Sequence, residues 1–236
     1  MLRLTTWNVQ SKPGRAWPLL TQIAPDICVI QETPLSWRPE GWADDSRLRL
    51  KDTGVPSKAF GVFALNDEWA IEDYKDGVEP LPWTVPVIVT RAGMEFLLIG
   101  MWALGRDKCG TSYETQLAGV LDRYGPLTHD RDVVIAGDMN SWAHGAGAKR
   151  YLRNIDTARS YGLVSAYHTT RGQEADAHVP TTLRWGGGDQ AFHCDLIFIP
   201  QAWSETATVE LGDEAVVLDT KVSDHLPVTL TSGIHL

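Results

Sequence analysis

The stretch DVVIAGDMNS, residues 132–141, joins a short apolar run to two polar side chains that follow it closely. An uninterrupted run such as 133–136 is typical of a strand buried on both faces. Gly137 then allows the backbone to bend or to approach a neighbour closely. In an extended chain residues i and i+2 point to the same side, so Asp138 and Asn140 should face one point. Such a pair could hold a metal ion, a water molecule or a phosphate, although both residue types are also common in turns.

The remainder of the chain supplies more strands than helices. Residues 2–7 are predicted as a strand, 15–23 as a helix and 27–30 as a second buried strand, a βαβ pattern. The acidic stretch 67–79 is expected to connect two strands, and residues 113–124 are predicted as a helix capped near Thr111 or Ser112. Further strands, among them 163–167 and 181–185, bring the total to about ten with a few helices between them. This is too many strands for one sheet wound with helices, so we predict an α/β fold with two stacked sheets and outer helices. No linker or repeat divides the sequence, and residues 1–236 are expected to form a single domain.

Composition and charge restrict the classes of function. The formal net charge of −9 argues against a protein that coats nucleic acid with a broad basic surface. It does not exclude an enzyme that meets a phosphodiester through a metal ion and a few local cations. The three cysteines show no pairing pattern, and Cys28 and Cys194 lie in apolar segments, where buried free thiols are expected. Neither a signal peptide nor a membrane span is evident, so we expect a cytoplasmic location.

Polar residues recur at the ends of other predicted strands. The first strand ends in Asn8 and the second in Glu32, while Asp195 lies near the start of a late apolar strand. Asp224 and His225 precede the last strand. Each of these residues alone is better explained as a turn residue or a solvated strand end. Their combination, together with residues 138 and 140, is a stronger signal.

The combination resembles the endonuclease/exonuclease/phosphatase superfamily, which includes exonuclease III, DNase I, the AP endonucleases and the inositol-polyphosphate 5-phosphatases. The matching pieces are TWN at 6–8, IQET at 30–33, AGDMNS at 136–141, HCDLIF at 193–198 and SDHLP at 223–227. The likeness therefore extends over almost the whole chain. It implies a four-layer sandwich of two mixed β-sheets packed face to face, with helices on the outer faces and a site at one end.

The resemblance also implies a metal site. Glu32, with Asn8 and Asp224 nearby, would hold a divalent cation, which we expect to be Mg²⁺ with Mn²⁺ as a substitute. Mg²⁺ is bound in proteins by one or two carboxylates, waters and substrate phosphate, which agrees with this set. Many relatives carry Asp or Asn at the position of Gln10, so a second carboxylate-bound metal at that corner is not expected.

Four further residues are assigned to catalysis by the same resemblance. Asp138 would orient or deprotonate the attacking water, and Asn140 would hold that water or a phosphate oxygen. His225, oriented by Asp195, would contact the scissile phosphate. The sequence leaves open whether His225 acts as a base or as a charge stabiliser.

Two tryptophans are candidates for substrate contact. Trp102 stands where AP endonucleases place a phosphate-contacting tyrosine, and an indole cannot take over the chemistry of a phenol. This departure weakens a specific assignment as an AP endonuclease. Trp142, which follows the Asp138 segment, could stack on a base.

Three functions follow from these features. The leading prediction is a Mg²⁺-dependent phosphodiesterase of nuclease type that acts on DNA or RNA. The second is a phosphatase or phosphodiesterase for a small or lipid-linked phosphate ester. The third is a catalytically silent binding module of the same fold, which the complete set of site residues disfavours. Neither a protein partner nor a membrane span is predicted.

Arg106 and Lys108 follow Trp102 and are predicted to belong to a positive rim that binds an anionic substrate, although ordinary solvated charges are an alternative. Changing both residues to Glu should raise KM for a phosphodiester severalfold and change the free energy of unfolding little. Steady-state kinetics and urea unfolding measure the two effects, and an unchanged KM would contradict the rim.

Overall fold

The computed structural model describes residues 1–42, 46–55, 57–105, 110–176, 183–184 and 191–233. Fourteen strands and five α-helices lie within these ranges. The strands are β1 (Leu2–Asn8), β2 (Ile27–Thr33), β3 (Leu48–Lys51), β4 (Ala59–Ala64), β5 (Ala70–Asp73), β6 (Thr84–Arg91), β7 (Met94–Trp102), β8 (Val133–Asp138), β9 (Leu163–Ser165), β10 (Leu183–Arg184), β11 (Ala191–Phe192), β12 (Asp195–Pro200), β13 (Thr208–Leu211) and β14 (Val228–Ser232). The helices are α1 (Pro13–Ile23), α2 (Tyr113–Tyr124), α3 (Ala148–Ser160), α4 (Ala166–Thr170) and α5 (Glu214–Asp219), and 3-10 turns cover Gly125–His129 and Gln201–Glu205.

Two six-stranded mixed sheets form the centre of the molecule. The first sheet has the order β13-β14-β1-β2-β4-β3, and the second has the order β5-β6-β7-β8-β12-β9. The β1–β2 and β7–β8 pairs are parallel, and the other neighbours are antiparallel. Strands β10 and β11 make a separate antiparallel pair. None of the helices in the described ranges is both long and apolar enough to cross a membrane.

Apolar side chains fill three layers. Val134 and Ala136 of β8 point into the core between the two sheets, whereas Val133 and Ile135 pack with residues of α2 and α3. A third cluster joins the outer face of the first sheet to α1. Strand β8 is therefore buried on both faces, as its apolar run predicts. The predicted four-layer fold, with two mixed sheets between helices, is confirmed.

Two local predictions were wrong. The acidic stretch 67–79, expected to be a connection, contains the edge strand β5, in which only Ile71 is buried. A strand with one buried residue shows no alternation in the sequence, so the pattern could not reveal it. The strand predicted for 163–167 ends at Ser165, where α4 begins. Of the strand predicted for 181–185, only residues 183–184 lie within the described residues.

The helix predicted after residue 112 begins as the sequence indicates. The hydroxyl of Ser112 accepts a hydrogen bond from the backbone N–H of Thr115, which satisfies one of the free amides of the first turn. Glu114 lies in the same turn, where a negative charge is favourable. Helix α2 packs on the second sheet and leads through a 3-10 turn into β8. It thereby fixes the entry of the strand that carries Asp138.

Replacing Gly137 by alanine is expected to lower the free energy of unfolding by about 3 kcal/mol or more. A Cβ atom at this position would lie 1.8 Å from the backbone oxygen of Met101 in β7, and a strand backbone cannot move aside cheaply. Urea unfolding measures the change.

Gly119→Ala is the matched control for this substitution. Its Cβ would meet nothing closer than 3.7 Å, at the ring of Trp83. Because alanine favours a helix over glycine by about 0.5–1 kcal/mol, this variant should be slightly more stable than the wild type. A Gly137→Ala protein as stable as the wild type would contradict the close approach of β7 and β8.

Candidate active site

The topology brings the predicted site residues to one end of the two sheets. Asn8 and Asp138 end their strands, and Asp195 begins the antiparallel strand β12 directly opposite Asp138. Glu32 lies near the end of β2, which runs parallel to β1. The loop with His225 leads into β14, the other neighbour of β1. Residues far apart in the sequence therefore lie together at this end.

Asp138 is the fully buried centre of the site. Its Oδ1 accepts a hydrogen bond from the backbone N–H of Asn140 at 2.9 Å. Its Oδ2 accepts from the side-chain amides of Asn8 at 3.1 Å and Asn140 at 3.2 Å. Three donors thus compensate for the water that the carboxylate has lost. Asn140 has a left-handed backbone, with φ of 46°, and also donates to the carbonyl of Ala103.

Glu32 lies on the other side of Asn8. The Asn8 amide approaches Glu32 Oε1 at 3.4 Å, and Lys58 Nζ donates to Glu32 Oε2 at 2.9 Å. The backbone of Glu32 is left-handed, with φ of 52°, at an irregularity in the β2–β4 pairing. This bend turns the side chain to the end of the sheet, where 18% of it remains exposed. Lys58 was missed in the sequence, because its loop carries no motif.

The residues expected to hold a metal ion offer oxygen atoms as metal ligands. Glu32 provides a carboxylate and Asn8 an amide oxygen, which accepts a hydrogen bond from the Gln10 backbone at 3.0 Å. Asp224 lies in a loop that is tied to β1, since the Ser223 hydroxyl donates to the Asn8 carbonyl at 2.6 Å. A partly exposed, all-oxygen set of this kind fits a hard divalent cation.

His225 is held between two carboxylates. Its Nδ1 lies 2.8 Å from Asp195 Oδ2, a hydrogen bond, and its Nε2 lies 4.0 Å from Asp138 Oδ2. The backbone fixes the ring as well, because His225 N donates to Ser223 Oγ at 3.0 Å and the Trp7 indole donates to the His225 carbonyl at 2.8 Å. Only 5% of the residue is exposed. The structure thus brings Asp195 and His225 together as predicted.

Burial and nearby charges shift the pKa values of Asp138 and His225. Burial raises the pKa of Asp138 to about 7, and the Asp195 carboxylate adds to the rise, while His225 opposes it. Burial alone would lower the pKa of His225, but the Asp195 and Asp138 carboxylates outweigh it and raise the pKa to about 10. The imidazole is therefore favoured in its cationic form.

Cys194 is buried as expected, but it lies at the site rather than in a remote core. Its Sγ is 3.7 Å from Asp195 Oδ2. The thiol, a carboxylate oxygen of Asp138 and a ring nitrogen of His225 all lie within 4.8 Å of one another. The sequence places Cys194 next to Asp195, but an apolar context offered no reason to connect the thiol with the chemistry.

The predicted substrate contacts differ in their surroundings. Trp102 is only 7% exposed and packs edge-on to Phe60, with ring centroids 6.0 Å apart, so little of its indole can be reached. Trp142 is half-buried and lies against Phe192 at a centroid distance of 4.2 Å. Phe192 was missed because one aromatic residue before HCD carries no signal of its own. Arg106 and Lys108 lie outside the described residues.

Comparisons with known proteins agree with this fold. A family model described as the Endonuclease/Exonuclease/phosphatase family matches residues 5–225. A search of curated proteins found no significant match.

Among solved structures, an AP endonuclease from Archaeoglobus fulgidus is 18% identical, with a TM-score of 0.69 and coverage of 99% of this chain and 100% of that chain. The 3′ phosphatase NExo from Neisseria, bound to a product DNA hairpin, is 17% identical, with a TM-score of 0.68 and the same coverage. Truncated TDP2 from Caenorhabditis elegans is 12% identical, with a TM-score of 0.71 and coverage of 99% and 98%. At these identities the likeness shows the fold. With the family model matched from residue 5 to residue 225, the chain belongs to the endonuclease/exonuclease/phosphatase family.

Proposed function

We propose that the protein is a divalent-metal-dependent phosphodiester hydrolase of nuclease type, acting on DNA or RNA. The observation that carries the proposal is the position of Asp138. This buried carboxylate is bonded through Asn8 to the oxygen-rich side of the site and faces the Asp195–His225 pair on the other side. A general base next to a cation is an arrangement that accelerates the hydrolysis of a phosphate ester.

Glu32, Asn8 and Asp224 would hold the metal ion, which we assign as Mg²⁺. When bound, the metal supplies a positive charge that compensates the negative charge developing on phosphate oxygens. Lys58 pairs with Glu32 and brings one cation to this corner. The Gln10 side chain accepts from Lys12 Nζ at 2.6 Å, so a neutral group stands where a further carboxylate would otherwise attract a second metal.

Asp138 is placed to accept a proton from water. Asn140 commits its amide hydrogens to Asp138 and Ala103, which leaves its carbonyl oxygen to orient the same water. As the water oxygen forms a bond to phosphorus, the bond from phosphorus to the leaving oxygen breaks and the water proton passes to Asp138. Both residues are fixed by hydrogen bonds before substrate arrives, so the reaction requires little reorganisation.

His225 fits the role of a charge stabiliser better than that of a base. Its Nδ1 is engaged by Asp195, and its Nε2 points to the space beside Asp138. With carboxylates at 2.8 and 4.0 Å, the ring is held as a cation whose Nε2–H can donate to a phosphate oxygen. Asp195 acts as a positioning residue that fixes the ring and its charge.

Nucleic acid is the substrate class that the surroundings favour. Trp142 and Phe192 form an aromatic pair on the segments that lead from Asn140 and into Asp195, and a base could stack there. The Neisseria protein of the same fold holds a product DNA hairpin, which supports DNA as a candidate here. Because that protein is a 3′ phosphatase, a terminal phosphate on DNA is included among the substrates to be tested.

Asp138→Ala is expected to lower kcat by at least about 10²-fold, because it removes the proton acceptor. Plasmid, single-stranded DNA, RNA, a 3′-phosphorylated oligonucleotide and small phosphate esters should be compared as substrates, with excess EDTA and with restored Mg²⁺. The exposed Asp130→Ala serves as the control and should behave like the wild type. Hydrolysis that persists in Asp138→Ala would exclude the mechanism, and hydrolysis that survives EDTA would exclude the metal.

Metal binding can be tested without substrate. Glu32→Gln should weaken Mn²⁺ binding at least about tenfold, because it removes the negative charge of the carboxylate that contacts Asn8 on this side. Lys58→Met should tighten binding severalfold, since the ammonium group no longer competes for Glu32. Lys12→Met, whose ammonium contacts the neutral Gln10, is the matched control with a smaller effect. Calorimetry or electron paramagnetic resonance measures the affinities, and equal affinity in Glu32→Gln and the wild type would place the metal elsewhere.

A further inference from the structure

Three atoms of different chemical type that could ligate a metal ion meet at the side of the site opposite Glu32. They are a carboxylate oxygen of Asp138, the Sγ of Cys194 and a ring nitrogen of His225, all within 4.8 Å of one another. The three residues are buried, with 0%, 0% and 5% exposure. They come from the end of β8, the residue before β12 and the loop before β14, so the strands hold them in place from three directions.

This donor set differs in chemistry from the oxygen donors around Glu32. Mg²⁺ is a hard cation that prefers oxygen, whereas a thiolate and an imidazole favour softer ions such as Zn²⁺. Zn²⁺ binds Cys, His and Asp in tetrahedral sites at about 2.0–2.3 Å, which puts ligand atoms about 3.5 Å apart. The observed separations are larger by up to about 1.3 Å, a gap that side-chain rotations can close. The neighbouring Asp195 carboxylate adds negative charge that favours a cation.

We propose that Asp138, Cys194 and His225 form a Zn²⁺ site and that Zn²⁺ bound there inhibits the enzyme. The thiol proton of Cys194 and one ring proton of the His225 imidazolium pass to the buffer as the sulfur and the ring nitrogen bind, and three protein ligands leave one position of a tetrahedral ion free. Inhibition follows because the ion occupies Asp138 and His225, the two groups assigned to proton transfer and charge stabilisation. The inhibition rests on the proposed function, whereas the binding does not.

Cys28 provides an internal comparison. It is also fully buried, but it packs in the apolar cluster between the first sheet and α1, and burial raises the pKa of its thiol far above the usual range. It has no place in the Asp138 donor group. A thiol that is merely buried should therefore behave like Cys28, and a thiol that ligates an ion should not.

Binding is tested on the full, reduced, metal-free chain by titration of ZnCl₂ in competition with a chromophoric zinc indicator. We expect one equivalent to bind the wild type and Cys28→Ala equally, and Cys194→Ala to bind at least about tenfold more weakly. Co²⁺ replaces Zn²⁺ as a spectroscopic probe. The near-ultraviolet absorption of a thiolate bound to Co²⁺ should appear in the wild type and in Cys28→Ala and be absent from Cys194→Ala.

Circular dichroism and thermal unfolding verify that the variants are folded, and Cys194→Ser replaces Cys194→Ala if the latter is not. Equal Zn²⁺ affinity in the folded Cys194 variant and the wild type, or no thiolate absorption in the wild type, would overturn the site.

Inhibition is measured by adding ZnCl₂ to the Mg²⁺-supported hydrolysis. The concentration for half-inhibition should rise at least about tenfold in the Cys194 variant and stay unchanged in Cys28→Ala. Full activity at saturating Zn²⁺ would overturn the inhibition. If Zn²⁺ and Co²⁺ bind as expected but no phosphate ester is hydrolysed, the metal site stands and the proposed function fails, so the two failures are distinguishable.

Discussion

The removal of the Asp138 carboxylate from water governs the architecture of this end of the molecule. A buried charge is tolerated only where fixed donors replace its hydration, and three do so here, from Asn8 and Asn140. To supply them, β1 and β8, which belong to different sheets, must end at the same level. The packing of the two sheets therefore bears directly on the chemistry of the site, because a shift of one sheet against the other would break the hydrogen bond from Asn8 to the carboxylate.

The same constraint divides the site into two electrostatic environments. On one side, Glu32 is partly exposed and paired with Lys58, so its carboxylate can exchange one cationic partner for another. On the other side, Asp195 and His225 are sealed from solvent and bonded to one another, so their charges are fixed. Asp138 lies between the two environments, bonded to Asn8 on the Glu32 side and 4.0 Å from His225 on the other. This asymmetry suits a reaction in which a cation must arrive at and leave the Glu32 side while the Asp195–His225 pair stays in place.

The sequence was informative where local pattern and motif coincide. The apolar run of β8 predicted a doubly buried strand, and the family resemblance of the motifs around Asn8, Asp138 and Asp195 implied that these residues converge. Residues that reach the site only through tertiary contacts, and that belong to no motif, were not predictable. Lys58 reaches Glu32 only because β4 pairs with β2, and Phe192 meets Trp142 through tertiary contact. Cys194 precedes an apolar run and was expected to be a buried free thiol like Cys28, and its neighbour Asp195 alone gave no reason to connect the thiol with the chemistry. The edge strand β5 lacks a buried face and hence a pattern.

Glu32 and Asn140 share one further property, the left-handed backbone that non-glycine residues rarely adopt. Strain of this kind persists only where the surrounding structure enforces it. Glycine would relieve the strain at either position while removing a side chain assigned to the metal or to the water. Both residues are therefore among the positions that a search for stability alone would change to glycine, and both belong to the proposed site, so variants selected only for thermal resistance should lose activity at these two points.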